Sequence, residues 1–293
     1  MRTLTYVIPP EDNGRLIKRI IRGKMGVSHR QFSDLKQRGG FILDGQSVFA
    51  NQTVHAGQTI TLTLIDEEGG QAEWDDTPVD VVYEDDDIIV INKDAPLACQ
   101  SSGKQPTNTL ENRLMYRYRD RPFVFRPVNR LDKGTSGLMV AAKHAHAQNI
   151  LQEQLHTDSY IREYLAVVCG APEPAEGEIS APIRKAEGAT VKREVAEDGR
   201  PSVTLYRTEQ RSGEFSLVRL RLLTGRTHQI RVHMSYIGCP VAGDFLYGTE
   251  DERLPGRFAL HSHYLSIIHP MTGERMEFTA PLPEDIRRLI CNS

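Results

Sequence analysis

The chain has 293 residues, 36 Lys and Arg against 39 Asp and Glu, a formal charge of -3, and four cysteines. That length supports one large domain plus a small one, each with its own core, and excludes a tiny staple-dependent scaffold. Cys99, Cys169, Cys239 and Cys291 lie far apart with no C-x-x-C pair, which argues against a disulfide framework or a structural zinc site and fits a reducing compartment. The opening MRTLTYVIPPED lacks a basic head followed by an apolar core, and no later run approaches about 18 apolar residues, so a cytoplasmic protein is expected.

The near-neutral total hides a segregation of charge. Residues 15–38 hold eight basic side chains, Arg15, Lys18, Arg19, Arg22, Lys24, Arg30, Lys36 and Arg38, against the single acid Asp34. Residues 66–87 carry eleven acids and no Lys or Arg. A phosphate backbone is drawn to the first block and repelled by the second; the plainer alternative is a solvated, salt-bridged face.

In chain order, RLIKRIIRG places Leu16, Ile17, Ile20 and Ile21 on one helical stripe with basic residues around it. Ser28 and Gln31 have capping-box spacing ahead of a second helix through Phe32 and Leu35, stopped by Gly39-Gly40. Asp44-Gly45 between short apolar runs signals a type I′ hairpin, and TITLTL at 59–64 reads as a strand. These elements predict a small module over 1–66. An acidic, Gly-containing linker follows over 67–78, and a larger domain over 79–293.

That domain opens with two strands around an acidic turn in VDVVYEDDDIIVINK, followed by an irregular segment and a basic helix from Thr109 to Arg119. LMVAAK at 138–143 is a strand, so Asp132 lies on the loop entering it. Residues 144–156 form an amphipathic helix, and YIREYLAVVCG a strand with Tyr160, Arg162, Tyr164, Ala166 and Val168 on one side. The stretch 172–201 reads as a loop or hairpin excursion. Strands at 203–208 and 215–223 and a helix from Thr227 to Ile237 complete the pattern, with His228, Arg231 and Ser235 sharing a polar face. Strand pairs with interspersed helices favour α+β, a mixed, mainly antiparallel sheet with flanking helices, over a doubly wound sheet.

Several chemistries lack support. There is no P-loop and no strand, G-x-G-x-x-G, helix unit, and SSGK at 101–104 has none of its companion motifs. The pairs His144/His146 and His261/His263 have no nearby third ligand. Asp132 in L-D-K-G-T-S-G has an ordinary reading as a turn residue. The arginine of the Thr227 helix, however, needs an acid or a phosphate to face.

RLDKGTSGLMVAAK, REYLAVVCG, LLTGRTHQIRVHMSYIGCPVAGDFLYG and FALHSHYLSIIHPMTGERMEFTAPLP closely resemble the RluA/RluD-type family of RNA pseudouridine synthases. The first 65 residues resemble the alpha-L module of the S4-like type. The resemblance covers nearly the whole chain. It implies an RNA-binding cleft with no cofactor and no metal. The implied partner is RNA, ribosomal first and transfer RNA second, with no membrane, the protein acting as a monomer. It assigns RNA contact to Arg15, Lys18, Arg19, Arg22, Arg30, Lys36 and Arg38.

Position by position, Asp132 matches the family's catalytic aspartate, and Tyr164 the tyrosine of K-x-Y-x-A-x-V, with Arg162 in the lysine's place. Arg231 matches the arginine that pairs with the aspartate. Two positions depart from the pattern: Asn129 replaces the histidine before R-L-D, and N-K-P is N-K-D at Asn92-Lys93-Asp94. Asn129, Arg130, Lys93 and His228 are the expected substrate contacts, Arg130 filling the space of a flipped base.

The implied reaction breaks an N-glycosidic bond, turns the base and rejoins it through carbon. A carboxylate suits either attack or charge stabilisation at the sugar, and the sequence leaves base attack and sugar attack both open. Tyr164 offers a ring to stack on the base and a hydroxyl to move a proton; its plainer alternative is a core tyrosine. The competing function is an RNA-binding ribosome-assembly factor whose catalysis is lost or incidental.

Overall fold

A computed structural model of the chain describes residues 2–65, 69, 72–155 and 157–291. The N-terminal sheet is built from β1 (Arg2–Val7), α1 (Ile17–Gly23), α2 (His29–Gln37), β2 (Phe41–Leu43), β3 (Gln46–Ser47) and β4 (Thr59–Leu64), in the order β1-β4-β2-β3. The stripe of α1 packs as its spacing requires, with Ile17, Ile20 and Ile21 fully buried against Leu35, Phe41, Ile60 and Leu62. The capping box of α2 is formed: Gln31 N donates to Ser28 Oγ at 3.3 Å, and Ser28 N donates to Gln31 Oε1 at 3.2 Å. Asp44 and Gly45 both have positive φ, 49° and 82°, as a type I′ turn demands. The strand at residues 2–7 is not expected from the sequence. Burial alternates along β1, with Arg2, Leu4 and Tyr6 on the covered side, but two of those three side chains are polar or amphipathic and only Leu4 is fully buried, so the sequence shows little apolar alternation.

The basic residues at 15–38 of this unit are all exposed, while Arg2 of β1 is half-buried. Arg15 pairs with Asp12 at 3.1 Å, and Arg38 with Asp34.

The larger sheet unit comprises β5 (Val81–Glu84), β6 (Ile88–Lys93), α3 (Leu110–Arg117), β7 (Arg126–Pro127), β8 (Ser136–Ala142), α4 (Ala145–Gln154), β9 (Ile161–Cys169), β10 (Glu176–Ser180), β11 (Ile183–Lys185), β12 (Arg193–Val195), β13 (Val203–Ser212), β14 (Phe215–Leu222), α5 (Gln229–Tyr236), β15 (Leu260–Ile268), β16 (Arg275–Thr279) and α6 (Glu284–Cys291). Its ten-stranded sheet runs β10-β13-β14-β9-β15-β8-β6-β5, with β16 on β15 and β7 on β8. Every pairing in it is antiparallel except β8 with β15. The architecture is thus α+β with a mixed, mainly antiparallel sheet. The stretch 172–201 is more regular than expected: β10 extends the sheet edge, and β11 and β12 form a separate hairpin.

Residues 67, 68, 70 and 71 of the acidic segment lie outside the described residues. Its later part is held on α3: Glu73 O accepts from Asn112 Nδ2 at 2.8 Å, Asp75 meets Arg113 at 3.5 Å, and the Trp74 ring stands edge-on to Tyr116. The two sheets touch through Arg2, which pairs with Asp87 and His144, and through Asn149 Nδ2, which donates to Gly26 O at 3.1 Å. Asp85, Asp87 and His269 gather near that junction with ligand atoms within 4.8 Å of one another, and they are engaged with His144, Arg2 and each other.

Candidate active site

Strand β9 and the loops before β8 and α5 wall a cavity of about 440 Å³, and the residues that line it include Asp132, Tyr164, Arg231, His228, Arg130 and Arg162. The Asp132 loop is pinned on both sides. Leu97 N donates to Lys133 O at 2.9 Å, Thr135 N to Asp132 O at 3.0 Å, and Cys99 Sγ to Leu131 O at 3.2 Å. Its backbone is thereby fixed while the carboxylate stays 28% exposed to the cavity. Gly134 and Gly137 serve the same loop. A Cβ on Gly134 would meet Phe258 at 2.7 Å; Gly137 has φ 105°, and a Cβ there would strike Ser262 O of β15 at 2.2 Å.

Arg231 joins the loop to α5. Its Nε and Nη2 donate to Asp244 at 2.6 and 2.8 Å, and its Nη1 donates to Asp132 Oδ2 at 3.0 Å. The guanidinium lies over the Phe258 ring, 4.1 Å from its centroid. Burial opposes its charge, and Asp244 and then Asp132 outweigh that, raising its pKa. Asp244 is fully buried and also accepts from Leu246 N and Tyr247 N. Sequence reasoning did not single it out, although an arginine in need of an acid, thirteen residues before an aspartate in the same segment, was the available signal.

Tyr164 is 5% exposed, reaches the cavity from β9, and has its pKa raised chiefly by burial, so it stays a neutral phenol. Arg130 is exposed at the cavity rim. His228 and Asn129 also line the cavity, but the placement of His228 on the helix and of Lys93 at the site differs from expectation. His228 is not on the helix: it precedes α5 in the left-handed region, φ 59°, so it does not share a helical face with Arg231. That turn aims its ring back at the loop, with Nδ1 2.8 Å from Tyr247 Oη and Nε2 3.8 Å from Asp132 Oδ2. Burial lowers its pKa, which favours the neutral ring. Lys93 does not line the cavity. It is 1% exposed, and Nζ donates to Asp94 O and Leu97 O, both at 2.7 Å. Burial lowers it to about 8, against the charges of Cys99 and Asp132.

Asn129 is 5% exposed, and its Oδ1 is used by the protein itself, accepting from Val140 N at 3.1 Å and Tyr160 Oη at 2.8 Å. Its Nδ2 has no partner among the described residues, and Asn129 borders the cavity. Asn129→Ala strips the acceptor from two buried donors and should cost about 1–3 kcal/mol in chemical denaturation. Asn129→His, which restores hydrogen-bonding capacity, should change single-turnover rates by less than about tenfold. A large gain with a new titration near neutrality would assign the position to proton transfer instead.

Residues 87–236 match the family model described as RNA pseudouridylate synthase. The chain is 37% identical over 272 residues to an uncharacterised RNA pseudouridine synthase of Bacillus subtilis (strain 168), covering 92% of this chain and 96% of that one. It is 37% identical over 300 residues to ribosomal large subunit pseudouridine synthase D of Xanthomonas campestris, covering 97% and 90% of the two chains. Among solved structures, human RNA pseudouridylate synthase domain containing 1 is similar with a TM-score of 0.58 and 30% identity, covering 73% of this chain and 86% of that one.

Proposed function

The chain belongs to the RNA pseudouridine synthase family, and on that premise we propose that it isomerises uridines of structured RNA, large-subunit ribosomal RNA foremost, with Asp132 as the nucleophile. The observation that carries the assignment of Asp132 is the shared guanidinium: two nitrogens of Arg231 are tied to Asp244 and the third is left for Asp132. Asp244 thus holds Arg231 as a rigid positive group that aims the reacting carboxylate. The relative named for the ribosomal large subunit supports the choice of RNA.

The reaction breaks the bond from uracil N1 to C1′ and forms one from C5 to C1′; the C5 hydrogen leaves to solvent and N1 gains a proton. Bonds and electrons balance. Asp132 attacks or stabilises the centre that loses its bond. Tyr164 stacks on the base and, as a neutral phenol, can donate a proton. Arg130, at the rim, occupies the space of the flipped nucleotide. Because C5 loses its hydrogen, release of tritium from [5-³H]uridine-labelled transcripts measures turnover. Release from large-subunit ribosomal RNA is expected. Release from transfer RNA alone would move the substrate, and release from neither would overturn the reading.

Residues 1–66 are then an alpha-L RNA-binding module, 67–78 a linker and 79–293 the catalytic domain. Support for the first comes from a separate core and an exposed basic face. Replacing Lys18, Arg19 and Arg22 by glutamine should preserve the buried stripe of α1 and lower the slope of log Kd against log salt by roughly 2. An unchanged slope would make those helices a solvated surface.

A further inference from the structure

Arg162 is a charge the chemistry described so far does not use. It is 9% exposed, lines the cavity two residues before Tyr164 on β9, and its side chain makes no hydrogen bond or ion pair among the described residues. Its surroundings are a ring and a glycine. The guanidinium stands over Tyr160, 5.5 Å from the ring centroid, and the Tyr160 hydroxyl is fixed by Asn129. A Cβ on Gly225 would lie 3.3 Å from Nη1 and 3.5 Å from Nη2, and Gly225 is not among the positive-φ glycines. The bare glycine backbone thus forms the opposite wall of the guanidinium's seat.

A buried, unpaired cation is costly in the free protein and persists where a ligand completes it. The cavity points to the sign of that ligand. Five Lys or Arg line it with one carboxylate, and Arg231 is already committed to Asp132 and Asp244. A planar fork of donors fits two phosphate oxygens better than a single carbonyl. Residues i and i+2 of a strand share a face about 6.6 Å apart, comparable to the reach from a nucleobase to its own phosphate.

We propose that Arg162, seated between Tyr160 and Gly225, binds the phosphodiester of the nucleotide whose base stacks on Tyr164. This rests on the proposed function and names one contact of that site.

The test uses the full chain with Arg162→Gln and Arg162→Lys. With labelled large-subunit transcript, Arg162→Gln should raise KM about 10- to 100-fold with kcat within about threefold. It should also make log Kd less dependent on log salt by about 0.7. Arg162→Lys should recover the salt slope and only part of KM, as expected of a point charge replacing a fork. Inorganic phosphate should raise the Tm of the parent and leave that of Arg162→Gln unmoved, and the unliganded Tm of Arg162→Gln should not fall. An Arg162→Gln protein that keeps both the parent's salt slope and its phosphate response overturns the seat. A parent that releases no tritium overturns the proposed function instead, and the phosphate response still decides the fate of Arg162.

Discussion

Asp132→Asn is expected to abolish tritium release, by more than about 10³-fold, while leaving the protein folded and able to bind RNA. Asparagine keeps an oxygen for Arg231 Nη1 and fits the same loop, whose backbone is held by Leu97, Thr135 and Cys99 rather than by the carboxylate. Arg231 still has Asp244, so no buried charge is left unpaired. The Asp132 carboxylate is partly open to solvent, and its loss should cost about 1 kcal/mol or less. Only the nucleophile is lost. Residual turnover within tenfold of the parent, in protein of parental Tm and parental RNA affinity, would remove Asp132 from the chemistry.

The second large effect separates the partner from the nucleophile. Arg231→Ala should lose turnover as fully as Asp132→Asn, but it should also destabilise the protein by about 3–5 kcal/mol, because Asp244 is then a fully buried carboxylate without a cation. Arg231→Lys should recover little, since one ammonium cannot reach two carboxylates in the geometry of the fork. Replacing both Arg231 and Asp244 by leucine should regain only part of the stability, because the amides of Leu246 and Tyr247 lose their acceptor, and none of the activity. Urea denaturation of the three variants beside the tritium assay reads both quantities. An Arg231→Ala protein as stable as the parent would mean that Asp244 is held by other groups.

Local signals in the sequence reported local structure well. The capping box at Ser28 and the positive-φ pair at Asp44-Gly45 depend on residues within one turn of one another and form as read; the stripe of α1 forms through Ile17, Ile20 and Ile21, with Leu16 just ahead of the helix. The loop carrying Asp132 ahead of β8 was legible from the strand that follows it, and the pairing of Asp132 with Arg231 through the resemblance. What escaped was set by partners distant in sequence. β1 exists because β4 offers it an edge some sixty residues later, and β10 because β13 does. His228 leaves the helix that its spacing suggested because a left-handed turn lets it reach Tyr247 and Asp132 together. Lys93, read as a contact for substrate, is turned inward by two backbone carbonyls that no pattern of residues announces. Asp244 was hidden among turn residues, and only the fork of Arg231 shows what it does.

Whether Asp132 carries the change of uridine to pseudouridine can be read in ribosomal RNA itself. Pseudouridines are mapped across the ribosomal RNA of a strain lacking this gene, and of the same strain given back either the parent chain or Asp132→Asn at equal protein levels. The expected result is that at least one large-subunit position is unmodified in the deletion strain, is restored by the parent and is not restored by Asp132→Asn. Restoration by Asp132→Asn would contradict it, as would a deletion strain with an unaltered pseudouridine map whose ribosome assembly is rescued equally by both proteins.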